Sequence, residues 1–182
     1  MPRENHTETA VLGALSITPM TGYAVRAAIR ETLGHFWSES FGQIYPALAR
    51  LESDGLVERS DAQRAGSSTF TITPAGLDRL RAALAEPPRA TAPRNGHLLR
   101  LFFGQHLGPE ACAEIVRAAR EDAEQQLDAM ATARTEAEAD PDRRNSPYWL
   151  LTISAGEHSA RAALAWATEA EATLVALSEE TS

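Results

Sequence analysis

The run from Ser40 to Gly55 has the pattern of a short amphipathic helix, and it constrains the fold more than any other part of the chain. Ile44, Leu48 and Leu51 recur at spacings of four and three residues, which places them on one face of an α-helix. Ser40 is predicted to cap the N-terminus of this helix, and Gly55 is predicted to end it as a C′ residue. Because the apolar face must pack on a core, we expect the opposite face to meet solvent or a partner.

That opposite face carries side chains that suit contact with DNA. Gln43 can form two hydrogen bonds with adenine, and Arg50 can bind guanine or a phosphate. Tyr45 can donate to a phosphate oxygen, and Gly42 leaves the first turn open to a phosphate. Pro46 lies early enough in the helix to be tolerated. The run therefore predicts a helix that enters a DNA groove.

The surrounding elements follow the order of a winged helix-turn-helix domain. Two short helices are predicted before this helix, the second with Tyr23 and Val25 in its buried stripe, and two strands are predicted after it. Pro74 begins a further helix, which stops before Pro87. The predicted segments are helices at 10–15 and 21–34, strands at 56–59 and 69–73, and a wing loop at 61–68.

The rest of the chain is predicted to be helical. Residues 97–107 are apolar almost all round and are expected to form a buried helix. Long amphipathic helices are predicted over residues 109–139 and from Ser146 onwards, each about 45 Å in length. Helices of this length need a further surface to pack on, and a second copy of the chain would provide it.

A linker is predicted between the two parts, because residues 87–94 are rich in Pro, Ala and Thr. We therefore expect a winged-helix domain over residues 1–86 and a helical domain over residues 95–182. The expected fold class is mainly α with a small β-wing: an N-terminal winged helix-turn-helix plus a C-terminal all-α dimerisation domain.

The chain resembles PadR-family transcriptional regulators over nearly all of residues 9–80. The resemblance rests mainly on the pattern G-x-I-Y-P-x-L-x-R-L-E-x-x-G-L at residues 42–56. Residues 98–103, 148–151 and 165–166 are also similar to the longer PadR subfamily, which has an extended helical C-terminal domain. The resemblance implies a homodimer built through the C-terminal helices and a double-stranded DNA operator as partner.

The candidate DNA-binding residues lie on the second and third helices and on the wing. The wing departs from the family pattern, since Arg64 is the one basic residue in its loop. We therefore expect the wing to position the protein on phosphates without reading bases. The full set is Tyr23, Ser40, Gly42, Gln43, Tyr45, Pro46, Arg50, Arg64, Ser67, Ser68 and Thr69.

An effector pocket is a second candidate site. Trp149 and Trp166 lie on the last helix, and Phe102 and Phe103 precede the long helices. Resemblance to PadR regulators implies a response to phenolic or drug-like molecules, so these aromatic residues are candidate pocket residues for a small planar aromatic effector. The alternative is that both tryptophans pack in the dimer core or between the domains.

Composition excludes several other classes of protein. The formal net charge of −8 is uneven, with −1 over residues 1–85 and −7 over residues 86–182, so the acidity lies away from the expected DNA-binding part. Cys112 is the one cysteine, and no metal-binding or catalytic motif is present, so we expect no metal, no cofactor and no enzymatic activity. With no membrane span and no signal peptide in the sequence, we expect a cytoplasmic protein.

The sequence therefore predicts a transcriptional regulator that represses from a pseudo-palindromic operator as a homodimer, with release by an aromatic effector. Two alternatives stay open: a winged-helix module for protein–protein assembly, and an effector-binding protein without its own operator. For the helix itself, the alternative is an ordinary exposed surface on which Arg50 pairs with Glu52 or Asp54.

Overall fold

The chain divides into two compact units, Met1–Ala90 and Thr91–Ser182. The structure is a computed structural model, and it describes residues 6–30, 41–61, 68–87, 95–141 and 144–180. Within these ranges, no helix combines the length and the hydropathy that a membrane span requires.

The first unit contains four α-helices and three short strands among its described residues. The third helix follows directly on a 3₁₀ turn at Phe41–Gln43. The elements are α1 (His6–Ile17), β1 (Met20–Thr21), α2 (Gly22–Ala28), α3 (Ile44–Ser53), β2 (Val57–Asp61), β3 (Ser68–Ile72) and α4 (Pro74–Ala85). This is the predicted winged-helix order, with the addition of β1.

The strands form an antiparallel sheet with β3 in the centre. Met20 of β1 pairs with Phe70, and β2 pairs with β3 from Val57 opposite Ile72 to Asp61 opposite Ser68. The sequence did not predict β1, because two residues are too few to show a strand period. The wing loop at 62–67 lies outside the described residues.

The core of this unit forms where α3 packs on α1. Leu12 and Leu15 of α1 and Ile44, Leu48 and Leu51 of α3 are each at most 2% exposed. Truncating a leucine in such a site to alanine typically costs about 2–5 kcal/mol, so this contact is a major source of stability. It confirms the predicted buried face of α3.

Thr73 joins the end of α3 to the start of α4. Its hydroxyl donates to the carbonyl of Gly55 at 2.9 Å and accepts from the backbone N–H of Gly76 at 3.0 Å, which caps α4. Gly55 has a φ of +70°, which suits glycine at the C′ position after α3. A Cβ on Gly76 would lie 2.0 Å from the carbonyl oxygen of Leu56, so only glycine fits there.

Tyr23 was placed wrongly in the buried stripe of α2. Its side chain is 72% exposed, whereas Val25 is fully buried. Residues two apart in a helix are separated by about 200° around its axis, so Tyr23 and Val25 cannot share one face.

The second unit is built on an antiparallel pair of long helices, α6 (Pro109–Ala139) and α7 (Ser146–Glu180), which follow the short helix α5 (Gly96–Phe102). The buried apolar residues of the two helices are mostly small: Cys112, Val116, Ala123, Met130 and Ala137 on α6, and Ile153, Ala160 and Ala167 on α7. At Gly156 the helices come so close that a Cβ would lie 2.6 Å from the sulfur of Met130.

The prediction of a buried helix at 97–107 was wrong for the isolated chain. Residues 96–102 form α5, a 3₁₀ turn follows at Gly104–His106, and neither element has a buried residue. Phe102 is 82% exposed and Leu99 63%. The segment is apolar as predicted, but its packing on α6 leaves most of its side chains exposed.

Two ion-pair clusters connect α6 with α7. Glu157 accepts a hydrogen bond from Nε of Arg134 at 2.8 Å and lies 3.3 Å from Arg161. Arg120 binds Glu171 at 2.7 Å. The hydrogen bond from Arg134 holds the pKa of Glu157 below its ordinary value, and that from Arg120 does the same for Glu171.

We expect Glu157→Gln to lower the free energy of unfolding at neutral pH and to weaken its dependence on pH. A carboxylate with a lowered pKa in the folded state stabilises the protein above its unfolded-state pKa, and this contribution is lost as the pH falls through the folded-state pKa. Denaturant titrations at about pH 7 and about pH 3, at one protein concentration, measure both effects.

The matched control is Glu136→Gln, because Glu136 is an exposed carboxylate on α6 for which no ion pair is found among the described residues. Equal effects of the two substitutions would contradict a stabilising role for the cluster around Glu157.

Candidate nucleic-acid interface

The helix predicted to enter a DNA groove begins later than expected. Its first α-helical residue is Ile44, and Gln43 occupies the cap position without a side-chain cap hydrogen bond. Ser40, the predicted cap, lies outside the described residues. A start at Ile44 makes Pro46 the third helical residue, where the missing N–H has no partner to lose.

The outward line of α3 consists of small side chains. Successive residues are about 100° apart, so Pro46, Ala49 and Ser53 lie opposite the buried face, and all three are exposed. Tyr45 and Arg50 lie on the two flanks of this line. Because small residues form the outward line, the helix backbone can approach another surface closely.

Tyr45 lies on the α2 flank. A Cβ built on Gly22, the first residue of α2, would lie 2.8 Å from Cε1 of Tyr45, so the ring packs on the glycine. Tyr45 remains 52% exposed, and Tyr23 of α2 is 72% exposed. Two phenol rings are thus displayed beside the N-terminal half of α3, where each hydroxyl can donate a hydrogen bond.

Arg50 lies on the other flank and is held by α1. Its Nε donates to Oε1 of Glu8 at 3.0 Å. Among the described residues, the alternative partners Glu52 and Asp54 form no ion pair with its guanidinium, which pairs instead with a residue 42 positions away. Sequence reasoning missed Glu8, because a single acid in the first turn of a helix gives no signal of a distant partner.

The wing strands contribute polar groups at the start of β3, the central strand of the sheet. Thr69 pairs with Thr21 on one side and with Ser60 on the other, and Ser60 Oγ donates to the carbonyl oxygen of Thr69 at 3.3 Å. Ser68 and Thr69 are half-buried. Arg64 and Ser67, the other predicted wing contacts, lie outside the described residues.

The four candidate effector residues do not come together within the second unit. Trp149 and Trp166 lie on one continuous helix, about 25 Å apart along its axis. Trp149 is half-buried against the cluster of Met130, Ala137 and Ile153. Phe102 and Phe103 stack edge to face with ring centroids 5.1 Å apart and remain exposed.

A cavity of about 390 Å³ lies elsewhere in this unit, between the first turns of α6 and the last turns of α7. Pro109, Ala113, Leu174 and Val175 form its apolar lining, and none of the four aromatic candidates lies in its wall. In the described ranges, no group of His, Cys, Asp or Glu residues is placed to hold a metal ion.

Two family models match the chain, one in each unit. Residues 11–82 match the transcriptional regulator PadR-like family, and residues 93–175 match the virulence activator alpha C-terminal domain. The two matches cover both the winged helix and the long helices.

Two curated relatives match over part of their length. A protein of transposon Tn4556 from Streptomyces fradiae, without a known function, is 41% identical over 78 residues, which are 43% of this chain and 22% of that protein. The negative transcriptional regulator PadR of Bacillus subtilis is 27% identical over 112 residues, which are 59% of this chain and 62% of that protein. The chain spans less than two thirds of either relative.

Solved structures share the fold at low sequence identity. A PadR-like transcriptional regulator from Bacillus cereus is 20% identical with a TM-score of 0.79, over 93% of this chain and 98% of that one. Bacillus subtilis PadR in complex with operator DNA is 19% identical, with a TM-score of 0.76 over 92% and 98%. The same protein with p-coumaric acid is 18% identical, with a TM-score of 0.72 over 96% and 98%.

We expect Gly22→Ala to displace the Tyr45 ring and to weaken DNA binding, with little loss of stability. The new Cβ would overlap the far end of a side chain that can rotate away. The chemical shifts of the Tyr45 ring report the displacement, and titration with duplex DNA reports the affinity.

Gly13→Ala is the control, because a Cβ there meets nothing within 4 Å. It should leave the Tyr45 signals unchanged and raise the stability of α1 by roughly 0.5–1 kcal/mol. Identical Tyr45 signals in both variants would contradict the packing of Tyr45 on Gly22.

Proposed function

This chain belongs to the PadR-like family of transcriptional regulators, and we propose that it binds a pseudo-palindromic operator in double-stranded DNA as a homodimer and represses transcription there. Relatives named as regulators, not enzymes, agree with a role without catalysis. One relative is named a negative transcriptional regulator, and one matching family model is named for a virulence activator. Repression is therefore tested separately, by measuring transcription from a promoter fusion with and without the protein.

The observation that carries the proposal is the exposed face of α3. Ile44, Leu48 and Leu51 anchor the helix in the core, while Gln43 and Tyr45 at its N-terminal end stay exposed. An anchored helix with polar side chains on its N-terminal end can place them against base edges in a major groove. The similar fold of Bacillus subtilis PadR in complex with operator DNA supports this use of the surface.

The proposed DNA contacts fall into two groups. Gln43 reads a base edge, because its amide can pair bidentately with adenine. The others position the protein on phosphates through hydroxyl, guanidinium and backbone N–H groups, and Arg50 can also bind guanine. The positioning group comprises Tyr23, Gly42, Tyr45, Arg50, Ser68 and Thr69, together with Ser40, Arg64 and Ser67, which lie outside the described residues. Pro46 has no N–H to donate, so its proposed contact with DNA is van der Waals contact from the outward line of α3.

The exposed apolar residues of the second unit support the homodimer. Leu98, Leu99, Phe102 and Phe103 of the α5 region and Leu151 of α7 are all at least 49% exposed. A monomeric protein seldom leaves so many large apolar side chains in solvent. A two-fold dimer would cover them and would present two copies of α3 to successive turns of one DNA face.

The effector is proposed to be a small planar aromatic acid or drug-like molecule. The complex of Bacillus subtilis PadR with p-coumaric acid supports this class of ligand. Trp149, Trp166, Phe102 and Phe103 remain the candidate contact residues, and Trp149 is the tryptophan that we expect to meet the ligand. Since the two tryptophans are far apart on α7, a single ligand can meet only one of them in a given chain.

We expect the chain to select a palindromic sequence from a random duplex library, with two chains per duplex in sedimentation. Gln43→Ala should weaken binding to the selected duplex by about 1–3 kcal/mol, because a base contact is lost, and should relax preference at one position of each half-site. Gln125→Ala, the same substitution on an exposed position of α6, should leave affinity unchanged. Failure to enrich any sequence would overturn the proposed function.

We expect p-coumaric acid, used as a probe, to quench tryptophan fluorescence and to weaken operator binding. A ligand shifts the dimer only through its different affinities for the bound and unbound conformations, so the two effects must appear together. Trp149→Phe should abolish the quenching and Trp166→Phe should retain it, with dimerisation intact in both. Quenching without any change in operator affinity would contradict a regulatory role.

A further inference from the structure

The ion pair between Glu8 and Arg50 links the DNA-facing helix to the first helix of the chain. Glu8 lies in the first turn of α1, and Arg50 lies in the last turn of α3. Nε of Arg50 lies 3.0 Å from Oε1 of Glu8, and the side chains are 48% and 24% exposed, respectively. The guanidinium is therefore held from one side and open to solvent on another.

Stability does not explain this pair well. Exposed ion pairs contribute little to folding, because solvent screens the charges and both long side chains lose rotamer freedom. The buried contact of α1 with α3 already holds the two helices together through leucine side chains that are almost unexposed. An ion pair beside such a core is better suited to orienting the Arg50 side chain than to holding the two helices together.

The pair leaves part of the guanidinium for a second acceptor. A guanidinium has five N–H donors, and the hydrogen bond to Glu8 uses the one at Nε. Among the described residues, neither terminal nitrogen of Arg50 has an acceptor. Arg50 also lies beside the outward line of α3, next in sequence to the exposed Ala49, so a nucleic acid on that line comes within its reach.

We propose that Glu8 is a specificity-determining residue for DNA: it orients Arg50 for the operator and offsets its charge against other DNA. The proposal rests on the proposed function and concerns a residue outside the DNA-binding set given above. Binding to DNA of any sequence depends on positive charge, whereas binding to an operator depends on the placement of each donor. A carboxylate beside Arg50 therefore weakens the first kind of binding more than the second.

The experiment compares two duplexes, the sequence selected from the random library and a scrambled duplex of the same composition. The affinity of the full chain for each is measured over a range of salt concentrations. Glu8→Gln keeps an acceptor oxygen and removes the charge. Asp78→Asn is the matched control, because Asp78 also pairs with an arginine, Arg81, at 2.9 Å on the surface of the same unit.

We expect Glu8→Gln to raise affinity for the scrambled duplex by about threefold to tenfold and to steepen its log–log salt slope by about 0.9, which corresponds to one more neutralised phosphate. The ratio of operator affinity to scrambled affinity should fall accordingly. Asp78→Asn should change this ratio by less than about twofold, within the range of surface charge effects. In an Arg50→Met background, Glu8→Gln should change the ratio no more than Asp78→Asn does, because the arginine charge that it releases is gone.

Three results would overturn the proposal. Equal effects of Glu8→Gln and Asp78→Asn would assign the change to net charge alone. An effect of Glu8→Gln that persists in the Arg50→Met background would show that Glu8 acts through another residue. The third result, a wild-type chain that binds both duplexes equally, would overturn the proposed function itself. If the wild-type chain prefers the selected duplex and either of the first two results is observed, only the role of Glu8 is overturned.

Discussion

Ile44, Leu48 and Leu51 pack α3 against α1 with almost no exposure to solvent, and the position of the whole candidate interface follows from this contact. Once three side chains of a ten-residue helix are buried, its rotation about its own axis is fixed. The outward line of small residues and the two flanks with Tyr45 and Arg50 are consequences of that rotation.

The two flanks are supported in different ways. Tyr45 packs on a glycine at the start of α2, so its position depends on the absence of a side chain. Arg50 is held by the carboxylate of Glu8, so its position depends on a charge. One support is steric and the other electrostatic, and only the second depends on salt concentration.

The second unit is held together by a different kind of helix contact. Its long helices approach closely through alanine, glycine and other small residues, and ion pairs cross between them at Glu157 and Glu171. Each small residue buries little apolar area, so the contact between α6 and α7 buries little apolar surface in total. The exposed apolar side chains of α5 are consistent with a unit that reaches its full burial only in the proposed dimer.

Local sequence determined most of the element order. The heptad-like spacing predicted the buried face of α3, Gly55 its end, Pro74 the start of α4, and Pro109 and Ser146 the starts of the long helices. These features depend on contacts within a few residues, which a sequence pattern carries. The start of α3 at Ile44 was missed, because a 3₁₀ turn has no pattern as strong as a cap residue.

Tertiary structure decided the rest, because it depends on which distant residues meet. The pairing of Arg50 with Glu8, the support of Tyr45 by Gly22 and the separation of the candidate aromatic residues follow from packing between elements. Composition showed that residues 97–107 are apolar, but burial is a property of the surroundings, and no residue of α5 is fully buried in the described chain. The sequence by itself determined which faces are apolar and which are polar, and the fold decided what each face contacts.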